Sequence, residues 1–333
     1  MTQVSAPETM LADFLATAGL AAPGEEGEWT PLSGGVSSDI WRVTTRERVF
    51  CVKRALAQLK VAAEWKAPVG RNATEWAYME VVTRISPRAV PRLIAQDAER
   101  GLFAMEWLAP ETYLLWKTEL LAGHADPAFA GATGRLLGRI HAATARNPAL
   151  PRRFATDASF ATLRIEPYFR ATAQAHPDLA AILDEIADRT AATHKVLVHG
   201  DVSPKNILSG PAGPVLLDAE CAWFGDPAFD LAFCLNHLAI KARVVTGARD
   251  ALVASFNRLS AAYVKLVDWE PVIALEKRAA ALLPALALAR VDGKSPVEYL
   301  DDAGRGALRL AARAAMIARH DRLDAVRDIL VDG

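Results

Sequence analysis

At 333 residues, 52% of them hydrophobic and 23% charged, the chain is long enough for one large or two modest packed domains. A net charge of -1 gives no basic footprint for nucleic acid, and the three cysteines, Cys51, Cys221 and Cys234, form neither a CxxC pair nor a zinc spacing. No basic stretch leads into an apolar one at the N-terminus, and the longest apolar run, the 11 residues 279–289, is interrupted by Pro284 and too short for a bilayer; the expectation is a cytoplasmic protein without a membrane partner.

Residues 8–18 place Met10, Leu11, Phe14 and Leu15 on one side of a helix that Gly19 ends. WTPLSGGVSSDIWRV, residues 29–43, reads as strand, glycine turn, strand. Gly34 and Gly35, with Ser37 and Ser38, can bring backbone N–H groups close to phosphate oxygens because glycine has no Cβ, although the same dipeptide also serves as a plain hairpin turn. The next strand, Val49-Phe50-Cys51-Val52-Lys53, is apolar until its last residue, and a lysine closing a buried strand needs a partner. Glu75 and Glu80 on a helix expected over 72–85 are candidates, with Glu64 a third outside it. Residues 90–96 and 102–108 read as two more strands.

From Thr112 the chain is mostly helical, with segments expected over 130–145, 160–193 (broken near Pro177), 230–243, 251–266, 272–290 and 306–318. Glu166, Asp178, Asp184, Glu185 and Asp188 alternate with Arg152, Arg153, Arg164 and Arg170, which reads as a mixed, solvated surface. The histidines form no metal-ligand constellation, and most are expected on the surface or hydrogen-bonded in the core.

The densest chemistry lies in VLVHGDVSPKNILSGPAGPVLLDAE, residues 196–220. Val196 to Val198 form a short strand that delivers His199, Gly200 and Asp201 to a loop, where Asp201 can accept a proton from an acceptor hydroxyl. Asn206, five residues on, supplies a hard neutral oxygen suited to Mg²⁺. Asn206 to Leu208 start a strand, residues 209–214 turn the chain, and Val215 to Leu217 bring Asp218 back beside Asn206 to bridge the metal. Glu220, two residues along an extended chain, points to the same side and can add a metal contact. A carboxylate base, an amide and a second carboxylate so placed are the layout of phosphoryl transfer to a hydroxyl. Singly, each is as well explained as a turn or cap residue.

HGDVSPKN, then LLDAE, then GDPAFDLA resembles the aminoglycoside phosphotransferase and choline kinase group of small-molecule kinases. The resemblance implies an α+β, two-lobed protein-kinase-like fold: a small N-terminal lobe of antiparallel sheet with one helix over 1–108, and a larger, mainly helical C-terminal lobe over 109–333. It implies ATP and Mg²⁺ as cofactors, Asp201 as catalytic base, Asn206 and Asp218 on the metal, and His199 and Asp230 bracing the loop. Gly34, Gly35, Ser37 and Ser38 then cover phosphates, Lys53 reaches them, and the backbone of Glu106, Trp107 and Leu108 reads the adenine edge. Glu75 is the favoured partner of Lys53, because R-x-x-x-E near a helix start is similar to the family pattern. Asp230 lies only 12 positions after Asp218, too few for a phosphorylatable activation segment, so the acceptor is expected to be a small molecule.

Residues 52–80, with Trp65 and Arg71, and the Asp218-Ala219-Glu220 triplet are nearest to methylthioribose kinases. LALARVDGKSPVEYL is similar in place to the segment where those enzymes present paired arginines to the sugar; Arg290 matches one and Ala289 stands at the other. A sugar-like or polyol hydroxyl is the expected acceptor. The alternatives are an antibiotic O-phosphotransferase and an idle nucleotide-binding protein on the same fold. The oligomeric state is left open by the sequence.

Overall fold

The computed structural model describes residues 7–32, 38–56 and 70–333. The first part is a helix, α1 (Pro7–Thr17), then β1 (Glu28–Pro31), β2 (Ser38–Thr44) and β3 (Val49–Ala55), a helix α2 (Arg71–Ile85), and β4 (Leu93–Asp97) and β5 (Leu102–Glu106). The strands form one antiparallel sheet in the order β1-β2-β3-β5-β4.

Alternation along a strand sends successive side chains to opposite faces, and here both faces are covered. Phe50 and Val52 pack with Leu11, Phe14 and Leu15 of α1, while Cys51 packs with Tyr78, Met79 and Val82 of α2. Each such buried side chain contributes about 1.5–3 kcal/mol. Strand β5 divides likewise, Leu102 and Ala104 toward α1, Phe103 and Met105 toward α2. By the same count Lys53 falls on the face of Cys51, so it emerges beneath α2 and not among the apolar side chains under α1.

The larger part begins with β6 (Leu114–Leu115), α3 (Trp116–Leu121) and α4 (Pro127–Ala145), followed by α5 (Leu150–Arg153), α6 (Asp157–Phe160), a π-helix over Ala161–Arg170, α7 (Ala171–Ala175) and α8 (Ala180–Ala192). The break expected near Pro177 is there, as a 3₁₀ turn over Pro177–Leu179. Short strands follow: β7 (Val196–Val198), β8 (Ile207–Gly210), β9 (Gly213–Leu216) and β10 (Trp223–Gly225). Asn206 ends a 3₁₀ turn over Pro204–Asn206 and does not open the strand, and the β8–β9 hairpin turns within Pro211 and Ala212, tighter than the expected six-residue turn over 209–214.

The chain ends with α9 (Pro227–Val244), α10 (Arg249–Val264), α11 (Val272–Asp292), α12 (Asp302–Ala318) and α13 (Leu323–Asp332). Helix α9 starts earlier than the hydrophobic pattern indicates, because Asp226 accepts the Ala228 N–H at 3.0 Å as N-cap and Pro227 occupies the first turn. Every residue from Pro227 to Ala242 is buried, which makes α9 the axis of this part.

Helices α4 and α10 cross closely at Gly134, where an added Cβ would lie 2.2 Å from the Leu259 carbonyl oxygen. Gly134→Ala is therefore expected to push the helices apart and cost about 1–3 kcal/mol. Thermal unfolding of the variant measures it, and an unchanged midpoint would contradict so close a crossing.

Candidate active site

Strand β3 and helix α2 together build one wall of the cleft. The Lys53 Nζ, 2% exposed, donates to Glu75 Oε2 and to Asp218 Oδ1, each at 2.6 Å. Against the desolvation imposed by burial, Asp218 and Glu75 hold the Lys53 ammonium above its ordinary value. Burial pushes the Glu75 carboxyl up, and Lys53 pulls the other way. Asp218 is also desolvated, but Lys53 and Lys205 hold its carboxyl well below the usual range. Of the glutamates considered for Lys53, Glu80 turns instead to Arg153, and Glu64 lies outside the described residues.

Asp218 adopts φ +62°, the left-handed region, where aspartate is tolerated better than most residues. The chain is therefore not extended from Asp218 to Glu220, and strand alternation does not set the direction of Glu220. Glu220 lies in a turn, and its carboxylate accepts from Arg71 Nη1 at 3.1 Å, while Arg71 Nη2 donates to the Leu56 carbonyl. Arg71 and Glu75, four residues apart on one helical face, thus tie α2 to the Asp218 segment, Arg71 directly through Glu220 and Glu75 by way of Lys53.

The opposite wall is the loop after β7. The Asp230 carboxylate, fully buried on α9, accepts the N–H groups of His199 at 2.7 Å and Gly200 at 2.9 Å, with His141 Nε2 at 3.3 Å. Gly200 has φ +78°, and a Cβ there would meet the Cys221 carbonyl oxygen at 2.6 Å, so the turn requires glycine. His199 is fully buried and stacks edge-on against Tyr78; its Nδ1 accepts the Asp201 N–H at 3.2 Å and its Nε2 faces the Leu217 carbonyl at 3.1 Å. That network assigns the neutral Nε2–H tautomer, and burial lowers the imidazole pKa in the same direction. His199 is a strut between the two loops, with no proton to trade.

Asp201 projects from this loop between two cations. Arg164 Nη2 lies 3.0 Å and Lys205 Nζ 3.2 Å from its Oδ2. Burial opposes ionisation, yet Lys205 and Arg164 hold the carboxyl below its ordinary value. Arg164 overturns the expectation of a solvated arginine: it is 7% exposed, its Nε donates to the Gly200 carbonyl at 2.5 Å, and its guanidinium lies over the rings of Tyr168 and Phe233. The π-helix carrying Arg164 and Tyr168 is the kind of irregularity found at functional sites. Arg170, by contrast, pairs at the surface with Asp184 and Asp188, as the charge mixture indicates.

Asn206 Nδ2 donates to the Asp201 carbonyl at 3.0 Å, which fixes its Oδ1 as the acceptor end, and the Leu217 N–H bonds the Asn206 carbonyl at 2.9 Å. The hairpin therefore brings the Asp218 segment back beside Asn206. Among the described residues no three His, Cys, Asp or Glu side chains gather into a metal cage. Magnesium bound with phosphates needs no such cage; one or two carboxylates and water suffice, and the Asp218 and Asn206 oxygens fit it.

On the sheet side, Gly34, Gly35 and Ser37 lie outside the described residues. Ser38 opens β2, 2% exposed, with its Oγ unpartnered. The Glu106 N–H is taken by the Arg92 carbonyl at 2.9 Å, and Trp107 and Leu108 follow β5 in irregular backbone. Arg290 is buried on α11, donating to Tyr168 Oη at 3.0 Å and Ser295 Oγ at 2.9 Å.

Comparison with known proteins bears on the family and the fold. The methylthioribose kinase of Bacillus cereus (strain G9842) is 24% identical over 234 residues, covering 61% of this chain and 58% of the relative, so the match spans less than two thirds of that enzyme. In fold, the chain is similar to a Plasmodium vivax ethanolamine kinase, with TM-score 0.55, 14% identity and coverage of 89% of this chain and 84% of that one. An amicoumacin kinase solved with AMP-PNP, Ca²⁺ and Ami aligns with TM-score 0.54 and 13% identity over 96% of each chain. The two-lobed, protein-kinase-like architecture is thus shared with small-molecule kinases. A model of the phosphotransferase enzyme family matches residues 28–272, and the chain belongs to that family.

Proposed function

We propose that the protein is an ATP- and Mg²⁺-dependent phosphotransferase that moves the γ-phosphoryl group to a hydroxyl of a small molecule, with residues 1–108 forming the nucleotide lobe. One observation carries the reading: Lys53 stands 2.6 Å from both Glu75 and Asp218, so α2, β3 and the Asp218 loop are locked in the arrangement that presents a cation to phosphates. The nucleotide and calcium in the amicoumacin kinase structure support it.

In this reading Asp201 orients the acceptor hydroxyl and takes its proton as the new O–P bond forms and the bond from the γ-phosphorus to the bridging oxygen breaks, the electron pair leaving with ADP. Arg164 and Lys205 hold Asp201 in place and ionised. Asn206 and Asp218 would hold the magnesium, with Glu220 as a further oxygen donor, and Ser38 would contribute on the phosphate side, where Gly34, Gly35 and Ser37 lie outside the described residues. When bound, magnesium neutralises charge developing on the phosphate oxygens. Trp107 and Leu108 read the adenine edge. A sugar-like or polyol hydroxyl is the acceptor.

Asp218→Ala is expected to weaken Mg-ATP binding by about tenfold or more, or 1.4 kcal/mol, with a smaller effect on metal-free ATP. Calorimetric titration with and without Mg²⁺ measures this, and equal losses in both titrations would remove Asp218 from the metal. The overall reading is tested by Mg-ATP consumption across sugars, polyols, amino alcohols and aminoglycosides.

A further inference from the structure

Beyond Asp201, reached through Arg164 and Tyr168, two buried cations form a floor on this side of the larger part. Lys241 on α9 is 1% exposed; its Nζ lies 3.3 Å from Tyr299 Oη and 4.7 Å from the ring centroid. Arg290 on α11 is 9% exposed, its Nη1 bonded to Tyr168 Oη and Ser295 Oγ, its Nε buried without a partner. Neither cation has a carboxylate partner among the described residues. Glu298, paired with Lys117, acts on both at longer range, and their direct contacts are neutral groups; such burial of charge is costly, and an oppositely charged ligand relieves that cost.

This floor adjoins the reacting carboxylate. Asp201 pairs with Arg164 at 3.0 Å, Arg164 lies over the ring of Tyr168 at 5.7 Å, and Tyr168 Oη accepts from Arg290 at 3.0 Å on the far side. Two guanidiniums thus flank one tyrosine, the first holding the base and the second the floor. Helix α3 packs against the Pro204–Asn206 turn and brings Lys117 in, paired with Glu298. The fields of Arg290, Lys241, Lys205 and Lys117 all bear on His237, and with burial they keep it neutral.

We propose that the acceptor is an anion: a hydroxylated small molecule bearing a carboxylate or phosphate, which lodges over the Lys241 and Arg290 floor while its hydroxyl meets Asp201. The assignment rests on the phosphotransferase reading and narrows it, since polycationic antibiotics and amino alcohols meet repulsion on this floor.

The charge on Lys241 makes anion binding depend on pH. Burial first, then Lys117 and Arg290, lower its pKa to about 7, while Glu298 acts the other way, Cys234 sits on the same helix and Tyr299 covers it. A bound anion raises that pKa. Affinity is therefore highest below the free value and falls as pH rises through it.

The test uses one carbon skeleton in four charge states: gluconate, glucitol 6-phosphate, glucitol and glucamine, with inorganic phosphate as an anion lacking a skeleton. Each is titrated calorimetrically into the full chain, with and without saturating Mg-AMP-PNP. Gluconate or glucitol 6-phosphate is expected to bind at least tenfold tighter than glucitol, and glucamine weakest; whichever anion leads separates carboxylate from phosphate acceptors. The advantage is expected to vanish in Lys241→Met and Arg290→Met and to shrink between pH 6 and pH 9. Lys117→Met, at the more exposed rim, reports on the same field if either buried variant fails to fold. Preference for glucitol or glucamine, an anion preference indifferent to all three substitutions, or no binding of any anion including phosphate overturns the proposal. Such a result with Mg-AMP-PNP still bound strikes the charge assignment alone, whereas loss of nucleotide binding in the unmodified chain strikes the phosphotransferase reading beneath it.

Discussion

Asp201→Asn is expected to lower kcat by about 10²–10⁴-fold, the contribution of a positioned general base, while Mg-ATP affinity stays within a few-fold. The amide preserves the shape of the side chain; it loses the ability to take the acceptor proton and the charge that pairs with Arg164 and Lys205. Because Lys205 and Arg164 hold the carboxyl below its ordinary value against burial, Asp201 is ionised well below neutrality. Its protonation therefore adds no acid limb near pH 7 to the rate profile. The stability that its pairing contributes is present above the unfolded pKa and is lost only as pH falls through the lower folded one. Steady-state kinetics with separate nucleotide titrations make the measurement; a parallel loss of Mg-ATP binding would give Asp201 a structural role.

Asp230→Ala is expected to be the most damaging change to the fold. The carboxylate is fully buried and satisfies two adjacent backbone donors, His199 N–H at 2.7 Å and Gly200 N–H at 2.9 Å. Leaving two buried donors unpaired costs about 1–3 kcal/mol each, a large share of the 5–15 kcal/mol or so that a domain holds in total. Asp230→Asn retains one acceptor oxygen and is expected to fall between. Chemical denaturation orders the three proteins, and residual activity in Asp230→Asn shows how far loop position alone governs turnover. Equal stability of Asp230→Ala and the unmodified chain would mean that the loop is held from elsewhere.

The parts of this architecture that follow from local pattern were legible in the sequence. Strand β3 reads as apolar with a terminal lysine, the helix over 72–85 carries its glutamate one turn in, and the HGD turn, the amide and the returning hairpin declare themselves by spacing. What stayed hidden depends on three-dimensional proximity. Arg164 sits among acidic residues in sequence, yet a π-helix turns it inward to Asp201, and neither periodicity nor charge pattern signals a π-turn. The pairing of Glu220 with Arg71 was hidden because the left-handed backbone of Asp218 breaks the two-residue alternation of an extended chain. Lys241 looks like the ordinary basic end of a helix; only the burial of α9 on every side makes it a floor charge. Lys205 lay inside the motif, and its four-residue distance from Asp201 was the available signal.

The central claim is tested most directly by giving the full chain Mg²⁺ and γ-labelled ATP with the charge-matched acceptor set and following the label. Label appearing in a phosphate monoester of an anionic acceptor, dependent on Mg²⁺ and absent with Asp201→Asn, is the predicted result. Nucleotide bound with Mg²⁺ but no label leaving it for any acceptor, whatever its charge, would contradict the account and make the protein a nucleotide-binding member of its family without phosphotransfer.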